Sequence, residues 1–434
     1  MKLFKNLNFS FLLFGRLITN IGDSLYFIAA TWLAYSLGGS AFYSGLAGFL
    51  TLLPEMFNFL IGPIVDRSNL KKVLLVSEIM QFLLILLVPT LYLFHQLNVT
   101  WILILMPLIT IFNMFSYPAE ISLVPKIVEK KNLVKANSAM SFAYQGTELI
   151  FNGLGGILVL LIGAVSLYVI DSATFLISIF LFASLRLQHQ PSKPKTKQTI
   201  ADSFRQYQDE LKQGFKFALN PIIINMLLPL IIVNFTISAA TTIFPAFADH
   251  FGGAATYGIL MTCFLAGLTI GSLLSQFVST HFTIGRAMII AYGLSGILWM
   301  LTAFGASSTV YVSFLCLLLS GIPVGATNVI YSSLYQLIPP ENMIARVQSL
   351  SRSFTLAAMP LGALAGGYFA SLYGSGLIIA CNGFTILLLS CYWLCNPKLR
   401  TLPKVKKLEN RAHMDELIGI KQTETIFAEE NVIK

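Results

Sequence analysis

The chain has 434 residues, of which 56% are apolar and only 11% charged, and its formal net charge is +9. Ordinary globular proteins carry about 25% charged residues, so this composition excludes a water-soluble enzyme domain and a disordered polymer alike. The positive balance sits in segments between long apolar runs, as expected of loops facing anionic lipid rather than of a nucleic-acid-binding surface.

A run of about 20 apolar residues can cross a ~30 Å hydrocarbon core as a helix. In chain order such runs cover about 9–37, 41–65, 73–94, 99–119, 138–163, 166–186, 221–248, 255–280, 287–305, 309–334, 347–372 and 374–395. They are continuously apolar, whereas the strands of a membrane barrel would alternate. The expectation is an all-α membrane protein with twelve transmembrane helices. The first run is too long for a cleaved signal core, is interrupted by Arg16 and Asp23, and precedes no small-residue cleavage site.

Lysine and arginine set the expected orientation. Of 28 such residues, all but Arg16 and Arg352 fall between spans on the side that also holds both termini. The intervening segments 38–41, 95–100 and 164–166 carry none. Because positive charge collects on cytoplasmic loops, both termini are expected in the cytoplasm of a multi-pass protein in the bacterial cell membrane.

Four segments follow: an N-terminal six-helix bundle (1–187), a cytoplasmic linker (188–220), a C-terminal six-helix bundle (221–395) and a cytoplasmic tail (396–434). The linker opens with Gln190-Pro191-Ser192-Lys193-Pro194-Lys195, which cannot bury a core. Phe204, Tyr207, Leu211 and Phe215 then recur at helical spacing, predicting an amphipathic helix on the inner leaflet. The tail is polar, mixed in charge and expected to be mobile. The bundles also share a pattern. Leu123-Val124-Pro125, a short basic loop and the glycine-bearing span with Gly153, Gly155 and Gly156 are echoed about 210 residues later. There Leu337-Ile338-Pro339 precedes Arg346 and then Pro360, Gly362, Gly366 and Gly367. Pseudo-symmetric bundles of this kind characterise transporters that rock about a midplane site.

Between the second and third runs stands Gly62-Pro63-Ile64-Val65-Asp66-Arg67-Ser68-Asn69-Leu70-Lys71-Lys72. This resembles the major facilitator superfamily signature G-x-x-x-D-R-x-G-R-[RK]. Gly62, Asp66, Arg67 and Lys71 match it; Asn69 replaces a glycine and Leu70 an arginine. Pro118-Ala119, Ala136-Asn137-Ser138, Ile170-Asp171-Ser172-Ala173-Thr174-Phe175 and Asn220-Pro221 look like the macrolide-efflux (Mef-type) and enterobactin-exporter-like branch. The likeness spans nearly all of 9–395. The fourth span lacks the arginine of the tetracycline- and multidrug-type antiporters, and Asn152 stands where an antiporter-motif proline would. The resemblance implies a conformational latch at Gly62, Asp66, Arg67 and Lys71, with Arg16 and Arg352 as candidate partners.

An ionised side chain at mid-membrane costs about 2.5–3.5 kcal/mol on insertion scales. Asp23, Glu55 and Glu148 lie deep in the first, second and fifth spans, and are the candidates for proton coupling or substrate binding. Glu78 and Glu120 are expected at the interface, and Asp171 as a cap or tether near the outer face. Arg16 and Arg352 are close enough to the cytoplasm to snorkel, or either could partner Asp66 or a buried acid. Arg16 and Asp23 stand ~10 Å apart along the helix axis, so no direct pair is expected. Phe27, Trp32, Phe57, Tyr144, Phe235, Tyr331 and Tyr335 are cavity candidates, although aromatic residues in spans commonly pack or face lipid.

The five cysteines are expected as buried apolar thiols without metal, and the five histidines are scattered, which argues against an enzyme. The sequence has no G-x-x-x-x-G-K-[ST] loop for nucleotide coupling. The expected function is secondary active efflux of a bulky apolar or amphiphilic small molecule, macrolide-like by resemblance. Protons are the expected coupling ion and sodium the alternative, in a monomer among membrane lipids that needs no cofactor and binds no nucleic acid. Transport or flipping of a lysophospholipid or siderophore is the alternative function.

Overall fold

The computed structural model describes residues 6–61, 64–65, 68–129, 132–186, 221–305, 309–337 and 344–404. They fold into α1 (Leu7–Gly38), α2 (Ala41–Leu52), α3 (Leu70–Leu93), α4 (Val99–Ile127), α5 (Leu133–Ser141), α6 (Thr147–Ile162) and α7 (Ala164–Ala183). After the linker come α8 (Pro221–Thr242), α9 (Phe244–Asp249), α10 (Ala254–His281), α11 (Ile284–Gly305), α12 (Val310–Leu337), α13 (Ile344–Tyr373), α14 (Ser375–Cys395) and α15 (Pro397–Arg400). Ten helical stretches among the described residues are long and apolar enough to cross a membrane, and Ala41–Phe57 and Ile150–Ile162 are shorter apolar helices.

The shorter helices fall in the second and fifth predicted spans, and each has a local cause. Pro54, which lacks a backbone donor, opens a 3-10 stretch, Pro54–Leu60, directly after α2. The fifth span is divided by a π turn, Phe142–Gly146, between α5 and α6. Polar caps begin several of the other helices: the side chains of Asn6, Ser40, Asn69 and Asn98 accept from the backbone amides of Phe9, Phe42, Lys72 and Trp101.

Helices α1, α3, α4, α6 and α7 pack into one group, with α1 against α6 and α7, and α3 against α4 and α7. Helices α8 and α10–α14 form a second group, in which α10 packs on α12, α11 on α12 and α14, and α8 on α13. The groups echo each other. Gly163 joins α6 to α7 with φ 83° and ψ 152°, and Gly374 joins α13 to α14 with φ 88° and ψ 150°. Both combine a positive φ with an extended ψ, a conformation open essentially to glycine alone.

Two helix pairs dominate the junction between the groups, α2 with α13 and α6 with α10. Both cross on glycine. A Cβ on Gly45 would stand 2.5 Å from the Cα of Gly367, and one on Gly156 would stand 2.4 Å from the Cα of Gly258. Close backbone approach of this kind, without intervening side chains, is how helices associate where lipid is the solvent. All four glycines lie within about two turns of the loops that carry no lysine or arginine. At the same end the hydroxyl of Tyr35 on α1 donates to Asp249 on α9 across 2.9 Å.

The apolar core matches this geometry. One buried cluster joins both groups, including Ile28, Tyr168, Phe244, Tyr257 and Trp299. A second, with Phe9, Leu12, Leu74, Leu123 and Ala136, is built from the first group alone, toward the basic loops. Among the described residues, the groups are therefore sealed at the end without basic residues.

Two expectations need correction. The start of the tail is docked rather than mobile: Leu399 and Leu402 are buried, the amide of Ile284 donates to Pro403 at 3.1 Å, and Lys404 Nζ donates to Thr280 O at 2.8 Å. Of the cysteines, only Cys316 is buried, while Cys381, Cys391 and Cys395 are exposed on α14; apolar residues on the outside of a membrane bundle satisfy lipid as well as core. The amphipathic helix expected within 204–216 lies outside the described residues, as does 405–434.

Inserting a side chain at a crossing should separate the pair. Gly156→Leu is expected to lower stability by about 1–3 kcal/mol through overpacking, measured as a fall in denaturation midpoint in detergent. Gly39→Leu, with nothing within 4 Å of its Cβ position but φ 69°, should show only the smaller backbone penalty.

Candidate functional site

Polar side chains recur on single faces of three apolar helices. Arg16, Asn20 and Asp23 are spaced i, i+4, i+7 on α1; Ser77 and Gln81 are spaced i, i+4 on α3; Asn113, Ser116 and Glu120 are spaced i, i+3, i+7 on α4. Residues at these intervals share one side of a helix, and packing of α1, α3 and α4 with the π turn turns those faces toward one another.

Arg16 is the centre. Its guanidinium lies 3.7 Å from Asp23 Oδ2 and 4.0 Å from Glu120 Oε2, and donates to Asn20 Oδ1 at 2.9 Å. It also sits over the ring of Tyr144, 4.6 Å from the centroid, a cation–π arrangement. The Tyr144 hydroxyl donates to Glu120 Oε2. Asn20 Nδ2 donates to the Tyr144 carbonyl and to Thr147 Oγ1, both at 2.6 Å. The amide of Asn113 reaches Asp23 Oδ2 at 3.4 Å and Gln81 Oε1 at 3.1 Å. Gln81 in turn bonds Ser77, which pairs with Ser116 at 2.9 Å. Glu78 accepts from Ser178 of α7 at 2.5 Å.

Burial makes this network consequential. Glu78, Glu120 and Gln81 are 0% exposed and the Arg16 side chain is 8% exposed, while Asp23 is the more open member at 20%. One guanidinium faces two carboxylates within 4.0 Å. A single cation cannot neutralise both, and an uncompensated charge in this setting is costly. The two acids therefore compete for one cation. Among the described residues, Glu78 Oε1 and Glu120 Oε1 are buried oxygens without a hydrogen-bond partner. Among the described residues no three His, Cys, Asp or Glu side chains converge as metal ligands.

The structure sorts the sequence candidates. Asp23 belongs to the network. Glu148 is exposed on the first turn of α6, and Glu55 is half-buried at the start of the 3-10 stretch. Gly62, Asp66 and Arg67 lie outside the described residues, as does the side chain of Arg352. Lys71 is seen in a local role: its Nζ donates to the carbonyls of Ala183 and Leu185 at 2.6 and 2.7 Å, capping the C-terminus of α7.

The expectations for Arg16, Glu120 and Glu78 are overturned. Arg16 is buried rather than snorkelling, and it pairs with Asp23 because its long side chain lies along the helix and closes most of the axial gap. Glu120 is not interfacial because α4 continues to Ile127, about two turns beyond the expected end of the span. Glu78 is eight residues inside α3 and faces α7. Asp171, expected as a cap or tether, is 0% exposed, bonds Thr174, and would lie 2.1 Å from a Cβ on Gly22. The missed signal was the recurrence of polar residues at intervals of three, four and seven within apolar spans.

A family model described as a transmembrane secretion effector matches residues 2–422. The chain belongs to the major facilitator superfamily. It is 23% identical over 405 residues to the multidrug efflux pump Tap of Mycolicibacterium fortuitum, covering 91% of this chain and 97% of the relative. It is 22% identical over 379 residues to macrolide efflux protein A of Streptococcus pyogenes, covering 85% and 92%. A bacterial homologue of the iron transporter ferroportin, solved in an inward-facing state, superposes with a TM-score of 0.68 at 17% identity, over 89% of this chain and 98% of that one. At that identity the superposition speaks for the fold alone. This major facilitator protein is thus a multi-pass membrane transporter with efflux-type relatives, not an enzyme.

Removing the central cation should be severe. Arg16→Ala leaves Glu120 and Asp23 without their counter-charge and is expected to cost about 3–5 kcal/mol, read as denaturant or thermal sensitivity in detergent. Adding Glu120→Gln to Arg16→Ala should recover part of that loss.

Proposed function

We propose that the protein exports a bulky apolar or amphiphilic compound, macrolide-like in character, from the bacterial cytoplasm in exchange for protons. The observation that carries this reading is the buried Arg16 with Asp23 and Glu120 at 3.7 and 4.0 Å. A secondary transporter needs a group that holds a proton in one conformation and releases it in the other. Two acids competing for one buried cation meet that need, since protonating either one relieves the competition.

In this reading α2 and α6 are the second and fifth of twelve spans, both termini are cytoplasmic, and 1–187 and 221–395 are the two rocking bundles joined by 188–220. The glycine crossings then close the outer side, and the cluster communicates with the cytoplasm. Asp23, the more exposed acid, exchanges protons with the cytoplasmic side and Glu120 holds the internal site. Glu148 and Glu55 are auxiliary acids for substrate or proton entry. The loop with Gly62, Asp66 and Arg67 acts as the inner latch, Arg352 as its candidate partner, and Lys71 anchors that loop to the end of α7. Efflux-type relatives support the direction of transport.

The test is accumulation of labelled erythromycin in pump-deficient bacteria expressing the protein, with and without a protonophore. Several-fold lower accumulation, restored by the protonophore, is expected, with Asp23→Asn and Glu120→Gln each losing the effect while remaining in the membrane. Unchanged accumulation with the protein in the membrane removes macrolides as substrates and turns the search to lysophospholipids and siderophores. Loss on sodium removal rather than with the protonophore would replace the proton by sodium.

A further inference from the structure

We propose that Tyr144 is a positioning residue that passes the protonation state of Glu120 to α6, with the π turn Phe142–Gly146 as its hinge. The inference rests on the proton-coupled reading above. π turns are rare, and occur mostly as single-turn insertions at functional sites. This one interrupts the fifth span directly at the charged cluster, and Tyr144 is its middle residue.

Tyr144 meets the cluster in three ways. Its hydroxyl donates to Glu120 Oε2, its ring lies 4.6 Å beneath the Arg16 guanidinium, and its carbonyl accepts from Asn20 Nδ2 at 2.6 Å. The other charged or titratable groups beside this pair are Asp23 from α1, Glu78 from α3 and Tyr117 from α4, while Glu148 of α6 interacts with Arg16 and Asp23. Of these, Tyr117 stacks edgewise on the Tyr144 ring at 5.0 Å.

An ionised Glu120 holds both the Tyr144 hydroxyl and Arg16. When a proton passed on from Asp23 binds Glu120, no other covalent bond forms or breaks, but the carboxyl stops competing for the guanidinium. Arg16 is then free to settle on Asp23, already 3.7 Å away. Tyr144 loses its charged acceptor and its overlying cation in the same event. From the turn, α6 runs on to Gly156, ~18 Å along the axis, where backbone meets the backbone of Gly258. With no side chain between them, a tilt or register change at the π turn is felt at the seal.

The experiment needs no substrate. The full chain, with its five cysteines replaced by serine and Asp249→Asn removing the titratable group beside Tyr35, carries spin labels at Leu161→Cys and His250→Cys. Both label sites are exposed near the seal. Pulsed EPR in lipid nanodiscs then measures their separation from mildly acidic to mildly alkaline pH. The expected result is a pH-dependent shift in the parent that is lost in Glu120→Gln and reduced severalfold in Tyr144→Phe. Tyr117→Phe, which alters a neighbouring ring but not the contact to Glu120, should respond like the parent. A Tyr144→Phe protein that responds like the parent overturns the proposal. A parent without any shift overturns it together with proton coupling, and erythromycin export in cells then shows whether the transport reading itself survives.

Discussion

A guanidinium withdrawn from water must be neutralised where it stands, and the first helix group is arranged around that requirement. Arg16 is 6% exposed in a chain whose spans are otherwise almost uncharged. Asp23 and Glu120 supply opposite charge, Asn20 an acceptor, and Tyr144 a ring face. Each of these partners is tied back to another helix by a further hydrogen bond. The polar network therefore fixes how α1, α3, α4 and the π turn sit together, where apolar contacts with lipid-like neighbours would leave the register loose. Its excess of acid over base, one arginine beside two carboxylates, is what the proposed proton coupling rests on.

The second constraint is steric. Glycine at Gly45, Gly367, Gly156 and Gly258 lets helices of the two groups touch backbone to backbone at one end of the molecule. The charged cluster lies on the other side of that seal, toward the basic loops. α1 spans both regions: Arg16 lies in its first half, Asp23 at its middle, and Tyr35 near its end bonds Asp249 of the second group. Helix α6 does the same, from the π turn to Gly156. Two helices thus run from the charged cluster to the glycine-sealed end.

Much of this was legible in the sequence, and the failures have physical causes. Apolar runs located the membrane helices, because length and continuous apolarity are what a bilayer demands. Asp23 was recognisable as a charge in an unfavourable place. Glu120 was not, since its depth depends on how far α4 continues past Ala119, and Pro125 concealed that continuation. The π turn leaves no apolar signature either: it changes the register of hydrogen bonds without changing which residues are apolar. Lys71 matched a family signature, yet its visible partners are the carbonyls ending α7, a local geometry that a motif does not encode.

The most direct test of the account is simultaneous measurement of substrate and proton movement. Purified protein in liposomes enclosing a pH-sensitive dye would be given labelled erythromycin without an imposed proton gradient. The account predicts that erythromycin movement is accompanied by opposite proton flux, and that Glu120→Gln abolishes this flux while substrate still binds. Erythromycin transport without proton movement, or proton flux unchanged in Glu120→Gln, would contradict it.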